Sequence, residues 1–299
     1  MTFSPRRTRL QRRQLSSATT SKAIDPAVTA DPSSLPSLQQ EGANPISNIP
    51  VRPPISVTRL PRADHNLLLT KHDLLKSQSI NVPQDLKRRA PDAASATLIF
   101  AQQEAGTAVC IHPSGLLLTC AHCIAKEAAD VKPEKTFWLL FASGTVVGAR
   151  CVAWDQHRDL ALLRIVAAAG VDDSSVTVAF PAVQVADYRP LLGAQLVCIG
   201  HPGSEDFEAA EPGVKTGYDV LHLSTGTFHG YAEGQDLQDN SDIGALKHDC
   251  WTYWGHSGAP LLERDSGRLV GLHSSWDDET GMRRGIALEA LKEFLEGRL

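Results

Sequence analysis

Residues 254–262 run Trp254-Gly255-His256-Ser257-Gly258-Ala259-Pro260-Leu261-Leu262. A serine stands between two glycines, and an apolar run follows. Glycine is the residue that adopts strained turn geometry at little steric cost. A serine held at such a turn is presented rather than buried in a strand. By itself the pattern marks only a tight turn, so its meaning depends on what lies upstream.

Two other short segments supply that context. Leu118-Thr119-Cys120-Ala121-His122-Cys123 ends a β-like run and places a histidine just past it. Asp155-Gln156-His157-Arg158-Asp159-Leu160-Ala161-Leu162-Leu163 places an aspartate at the start of an apolar run, where its carboxylate is partly desolvated. The chain order is histidine, aspartate, serine. A serine hydroxyl is a weak nucleophile until an imidazole accepts its proton. The imidazole in turn needs a carboxylate to fix its tautomer and stabilise the cation that forms. His122, Asp159 and Ser257 are therefore the candidate catalytic group. The amides of Gly255 and Ser257 are the candidate oxyanion donors, worth about 3–4 kcal/mol each in such sites.

Between these segments the texture is that of an all-β protein. Short runs rich in Val, Leu and Ile alternate with turns. They are Thr97–Phe100, Thr107–His112, Leu116–Thr119, Phe137–Phe141, Thr145–Val152, Leu160–Val166, Gln195–Ile199, Val220–Thr227 and Arg268–Ser274. Pro113-Ser114-Gly115 joins two runs at hairpin distance. Leu288, Leu291, Phe294 and Leu295 fall at helical spacing, so a short C-terminal amphipathic helix is predicted. A second short helix is predicted around Asn66–Lys76. The expected organisation is a disordered basic Ser/Pro-rich tail over 1–62 and a partly helical lead-in over 63–93. A first β-barrel over 94–175 follows, then a second barrel with the C-terminal helix over 176–299.

With these motifs on the page, the chain resembles the trypsin-like serine peptidases, and within them the Deg/HtrA type without a PDZ domain. Gly106-Thr107-Ala108-Val109 through His122 is similar to that family's first hairpin and His motif. Cys151 through Leu163 resembles its Asp segment, and Gly200-His201-Pro202-Gly203 the turn opening its second barrel. His248-Asp249-Cys250 through Pro260 resembles its nucleophile loop. The resemblance implies two six-stranded antiparallel β-barrels with the site in the cleft between them. It implies peptide-bond hydrolysis through an acyl-enzyme, with no metal and no cofactor. Gly271-Leu272-His273-Ser274 matches the strand lining the substrate cleft, with Ser274 placed near Asp159. Trp251, Thr252, Trp254, Ser274 and Trp276 are the expected substrate-binding residues. No carboxylate stands at the expected pocket floor, so an apolar side chain is expected before the scissile bond rather than Arg or Lys. His256 and Ala259 depart from the family pattern beside the nucleophile. The competing expectation is a peptidase-like protein that binds polypeptides without turnover.

Composition narrows the alternatives. Of 299 residues, 42% are hydrophobic, enough for a sizeable core, and the net charge is -5. Residues 1–62 hold nine Lys/Arg against three Asp/Glu, which leaves the remainder at -11. An acidic body argues against nucleic acid as a partner; polypeptides are the expected partners, and no residue demands an oligomer. No apolar run is long enough for a membrane span. The opening residues lack the apolar stretch of a secretory signal. The expected location is therefore intracellular, with mitochondrial, nuclear and cytosolic readings all open. The six cysteines are accordingly expected as thiols. The Gly-His-Ser-Gly-Ala run also resembles an α/β-hydrolase elbow, but that class needs a histidine late in the chain, and the one after Ser257, His273, falls in a predicted strand. His157-Arg158-Asp159-Leu160 resembles a kinase loop but lacks its companion motifs. Cys120-Ala121-His122-Cys123 has no matching second pair for zinc.

Overall fold

The computed structural model describes residues 60–78, 80–102, 105–168 and 179–299. The tail expected over 1–62 lies almost wholly outside the described residues.

Six strands form a closed antiparallel barrel in the order β1-β2-β3-β6-β5-β4. They are β1 (Thr97–Phe100), β2 (Thr107–His112), β3 (Leu116–Cys120), β4 (Thr136–Phe141), β5 (Val146–Asp155) and β6 (Leu160–Ala168). Six more close a second barrel in the order β10-β11-β12-β9-β8-β7. These are β7 (Gln195–Gly200), β8 (His222–Tyr231), β9 (Leu246–His248), β10 (Pro260–Glu263), β11 (Leu269–Trp276) and β12 (Arg283–Ala287). The expected pair of six-stranded barrels is what the chain forms. Closure pairs most strand edges, but β11 beyond His273 is paired on one side only, by β12.

Every residue of β1 and β3 is buried, and β4 and β6 are nearly so. Leu116, Leu117, Leu118, Leu139, Leu140, Leu160 and Leu163 are among the largest fully buried side chains. Each fully buried leucine contributes about 1.5–3 kcal/mol, so the first barrel is a rigid platform. The second barrel is held by a smaller cluster including Leu196, Phe228, Leu246, Leu261 and Val270.

Among the described residues three α-helices lie outside the barrels: α1 (Arg62–Ser77), α2 (Gln84–Arg89) and α3 (Leu288–Leu295). The C-terminal helix buries Leu288, Ala290, Leu291, Phe294 and Leu295, the spacing read from the sequence. The N-terminal pair straps both barrels. Lys71 Nζ donates to Phe100 O at 2.8 Å, and Gln78 Oε1 accepts from Val220 N at 2.8 Å. Asp85 pairs with Arg264 at 2.5 Å, and Arg89 with Asp265 at 2.7 Å. The strands β9 and β12 escaped the sequence reading. β9 has three residues and β12 opens Arg-Arg-Gly, so neither carries an apolar alternation. They pair with each other, Arg283↔His248 through Gly285↔Leu246, and with β11 and β8 on their other sides.

Candidate active site

The histidine sits in a single turn, Ala121–Cys123, at the end of β3. Trp154 on β5 fixes that turn by donating from Nε1 to Ala121 O at 2.9 Å. The aspartate precedes β6 with φ +55°, the one positive φ outside glycine among the described residues. Asp tolerates this left-handed region better than most residues. The conformation lets Asp159 serve the histidine turn twice. Its carbonyl accepts from Ala121 N at 2.9 Å, and its carboxylate accepts from His122 N at 3.2 Å. The same carboxylate holds His122 Nδ1 at 2.9 Å from each oxygen. Asp159 is fully buried. A buried carboxylate with this many donors is an orienting group, not a surface ion pair.

Ser257 comes from the second barrel and is pressed against the first. Its carbonyl accepts from Thr107 N at 3.0 Å on β2 and from Cys123 Sγ at 3.6 Å, next to His122. Gly258, at φ +84°, passes so close to the first barrel that a Cβ would stand 2.2 Å from Thr107 O. The serine hydroxyl donates to Ser274 O at 3.4 Å. The structure therefore joins His122 to Asp159 directly, and brings Ser257 to the histidine turn through Thr107 and Cys123.

Around the serine, the neighbouring amides are occupied. His256 N donates to Tyr253 O at 3.0 Å and Gly258 N to His273 O at 2.8 Å. The amides of Gly255 and Ser257 donate to no group among the described residues. Gly255 has φ +102°, and a Cβ there would lie 2.4 Å from Ala105 Cβ and 2.5 Å from His201 O. Only glycine fits this turn.

The two departures in the loop have a structural reason. His256 is fully buried beneath the loop, and Gly200 makes its space, since a Cβ on Gly200 would meet His256 Cδ2 at 2.5 Å and Ala259 Cβ at 2.9 Å. Burial holds the His256 imidazole well below its usual range, so it is neutral.

The expected substrate-binding residues are spread differently than one pocket wall. Trp251 is packed by other rings: Tyr218 at 4.9 Å, His222 at 4.6 Å, His256 at 5.5 Å and Tyr253 stacked at 6.4 Å. Thr252 is buried beside it, and Trp254 meets Phe207 at 6.3 Å. Trp276 is 39% exposed at the end of β11. Ser274 is buried, and its hydroxyl meets that of Ser275 at 3.2 Å.

Contacts between the histidines of the second barrel do not show in the sequence. His248 Nε2 and His273 Nδ1 are 3.1 Å apart in the interior of the second barrel. Burial, with a smaller contribution from the charge of Arg283, pushes His248 down to about 3. His273 is likewise held well below the usual range by burial. Cys120 Sγ, His122 Nδ1 and an Asp159 oxygen lie within 4.8 Å of one another, a set of soft and hard donors able to hold a metal ion. All six cysteines are free thiols.

A trypsin-like peptidase domain matches residues 106–272, which enclose His122, Asp159 and Ser257. The chain belongs to the trypsin-like peptidase family. Solved structures similar to this peptidase include the serine endoprotease from Yersinia pestis. That pair shares 19% identity over 73% of this chain and 67% of the other, with a TM-score of 0.49. The HtrA-type protease AlgW with decapeptide shares 20% identity over 64% of this chain, with a TM-score of 0.45. The peptidase spans about half of that second protein, 51%. No curated protein matches the chain.

Proposed function

We propose that this trypsin-like peptidase is a serine endopeptidase working through an acyl-enzyme. The observation that carries the reading is the doubly held His122–Asp159 pair, with Ser257 seated against the same turn. Asp159 accepts a hydrogen bond from Nδ1–H of His122, which fixes the tautomer and leaves Nε2 as the base for Ser257. The Ser257 hydroxyl leaves Ser274 O and passes its proton to His122 as Oγ attacks the scissile carbonyl. The amides of Gly255 and Ser257 receive the oxyanion, and His122 then protonates the leaving amine. Water repeats the sequence on the acyl-enzyme and releases the second product. The polypeptide lies extended along Ser274–Trp276, pairing backbone with backbone.

One observation favours the second reading, binding without turnover: the resting Ser257 hydroxyl points to Ser274 O. A fluorophosphonate probe separates the two. Labelling that is lost in Ser257→Ala supports the peptidase. A folded wild-type protein that takes no label supports the binding protein.

A further inference from the structure

An arginine in the second barrel holds one guanidinium nitrogen buried without a hydrogen-bond partner. Arg283 on β12 pairs in register with Trp276 on β11 and with His248 on β9. Two residues on, Gly285 pairs with His273 and with Leu246. Strand periodicity puts alternate residues on one face, so Arg283, His248 and the fully buried Leu246 share the interior face. The register shift between His273 and Ser275 brings His273 and Trp276 onto that same face. The strand that carries them is the one whose Ser274 carbonyl receives the Ser257 hydroxyl.

Arg283 Nε is buried with no hydrogen-bond partner. Its guanidinium donates from Nη1 to Gly281 O at 3.2 Å and stands 5.9 Å from the centre of the Trp276 ring. No carboxylate among the described residues pairs with it. The adjacent Arg284, on the opposite face, is satisfied by Gly244 O at 2.8 Å, Gln235 at 2.9 Å and Asp277 at 3.9 Å. Arg283 is half-buried: Nε is sealed in the interior without a partner, while Nη1 lies at the surface, and a buried polar nitrogen is normally hydrogen-bonded. Here the surroundings of Arg283 are histidines held neutral, and its field reaches both His248 and His273.

We propose that Arg283 and His273 select a side-chain carboxylate, Glu or Asp, at the substrate residue whose carbonyl Ser257 attacks. This rests on the reading of Ser257 as the nucleophile. A cation beside His248 favours the tautomer that turns a ring lone pair toward it. His248 Nε2 then donates to His273 Nδ1, and the remaining proton of His273 sits on Nε2 as a donor for the incoming carboxylate. The guanidinium supplies the counter-charge, and its bidentate fork suits a carboxylate. This replaces the apolar preference expected from Trp251, whose ring is taken up by its aromatic neighbours.

The test is binding to full-length Ser257→Ala, which needs no turnover. Peptides identical except for a last residue of Glu, Asp, Gln, Leu or Lys are compared, with a Leu-amide arm to read the terminal carboxylate. Glu or Asp binds at least about 10-fold tighter than Gln and Leu. Arg283→Gln in the same background brings Glu and Gln to parity, while Arg283→Lys keeps part of the preference. Melting temperatures of both variants establish that they fold. Leu binding as tightly as Glu, or a Glu-to-Gln ratio untouched by Arg283→Gln, overturns the proposal. Fluorophosphonate labelling of wild type reports on the nucleophile separately, so each idea fails on its own evidence.

Discussion

Acidification should destabilise this protein well above the range where carboxylates titrate, and His248 gives the magnitude. Its folded pKa is about 3, because the ring is fully buried and faces Arg283, His256 and His229. An imidazole in the unfolded chain titrates near about 6.5. The folded value lies below the unfolded one, so the unfolded state binds the extra proton. The contribution is fully present above the unfolded pKa and is lost as pH falls toward the folded pKa. One refused proton costs about 1.4 kcal/mol per pH unit, hence about 2 kcal/mol between pH 7 and pH 5. His256 and His273 are shifted in the same direction by burial, and they add to the loss. The perturbation is His248→Gln, whose amide still offers a partner to His273 but takes no proton. Urea unfolding at pH 7, 6 and 5 is the assay. The wild-type midpoint falls with pH, and the variant recovers about 2 kcal/mol of that loss, roughly 1 M in urea. A wild-type midpoint that is flat from pH 7 to 5 refutes the reasoning. So does a variant that loses as much as wild type.

Asp159→Asn lowers kcat about 10^4-fold by presenting the wrong His122 tautomer, in steady-state hydrolysis of a peptide substrate. Asn accepts the left-handed backbone that Asp159 adopts at φ +55°, so the melting temperature stays close to wild type; a large drop would assign the residue to stability instead. Gly255→Ala lowers kcat by at least about 10^2, because its Cβ would lie 2.4 Å from Ala105 Cβ at a backbone φ of +102°. Retained turnover in that variant would remove Gly255 from the oxyanion site. Ellman's reagent on the folded protein titrates Cys123 first, since the other five cysteines are buried. Burial also pushes Cys110 and Cys250 up to about 12 and Cys151 to about 11. Rapid reaction of several thiols in the native state would contradict the packing of both barrels.

The first barrel was largely legible in the sequence. Its strands are long, aliphatic and bounded by turn residues, so period and composition agree. The nucleophile loop was legible too, because glycine marks backbone geometry that other side chains resist. The second barrel was less so: β9 and β12 are short and polar, and they become strands by pairing with β8, β11 and each other. The candidate pocket was read from Trp251, Thr252 and Trp254, which lie next to the nucleophile in the chain. Arg283, whose Nε alone lacks a hydrogen-bond partner, lies beyond Ser257 in sequence and on another strand.

Residue types and their order were enough to nominate His122, Asp159 and Ser257, since acyl-transfer chemistry admits few side chains and each leaves a local backbone signature. What a side chain faces is another matter. Asp159 meets His122 because two strand ends converge, and Arg283 stands among neutral histidines because a bulge re-aims β11. Charge pairing and burial are set by strands far apart in the chain. Only the closed barrels decide them.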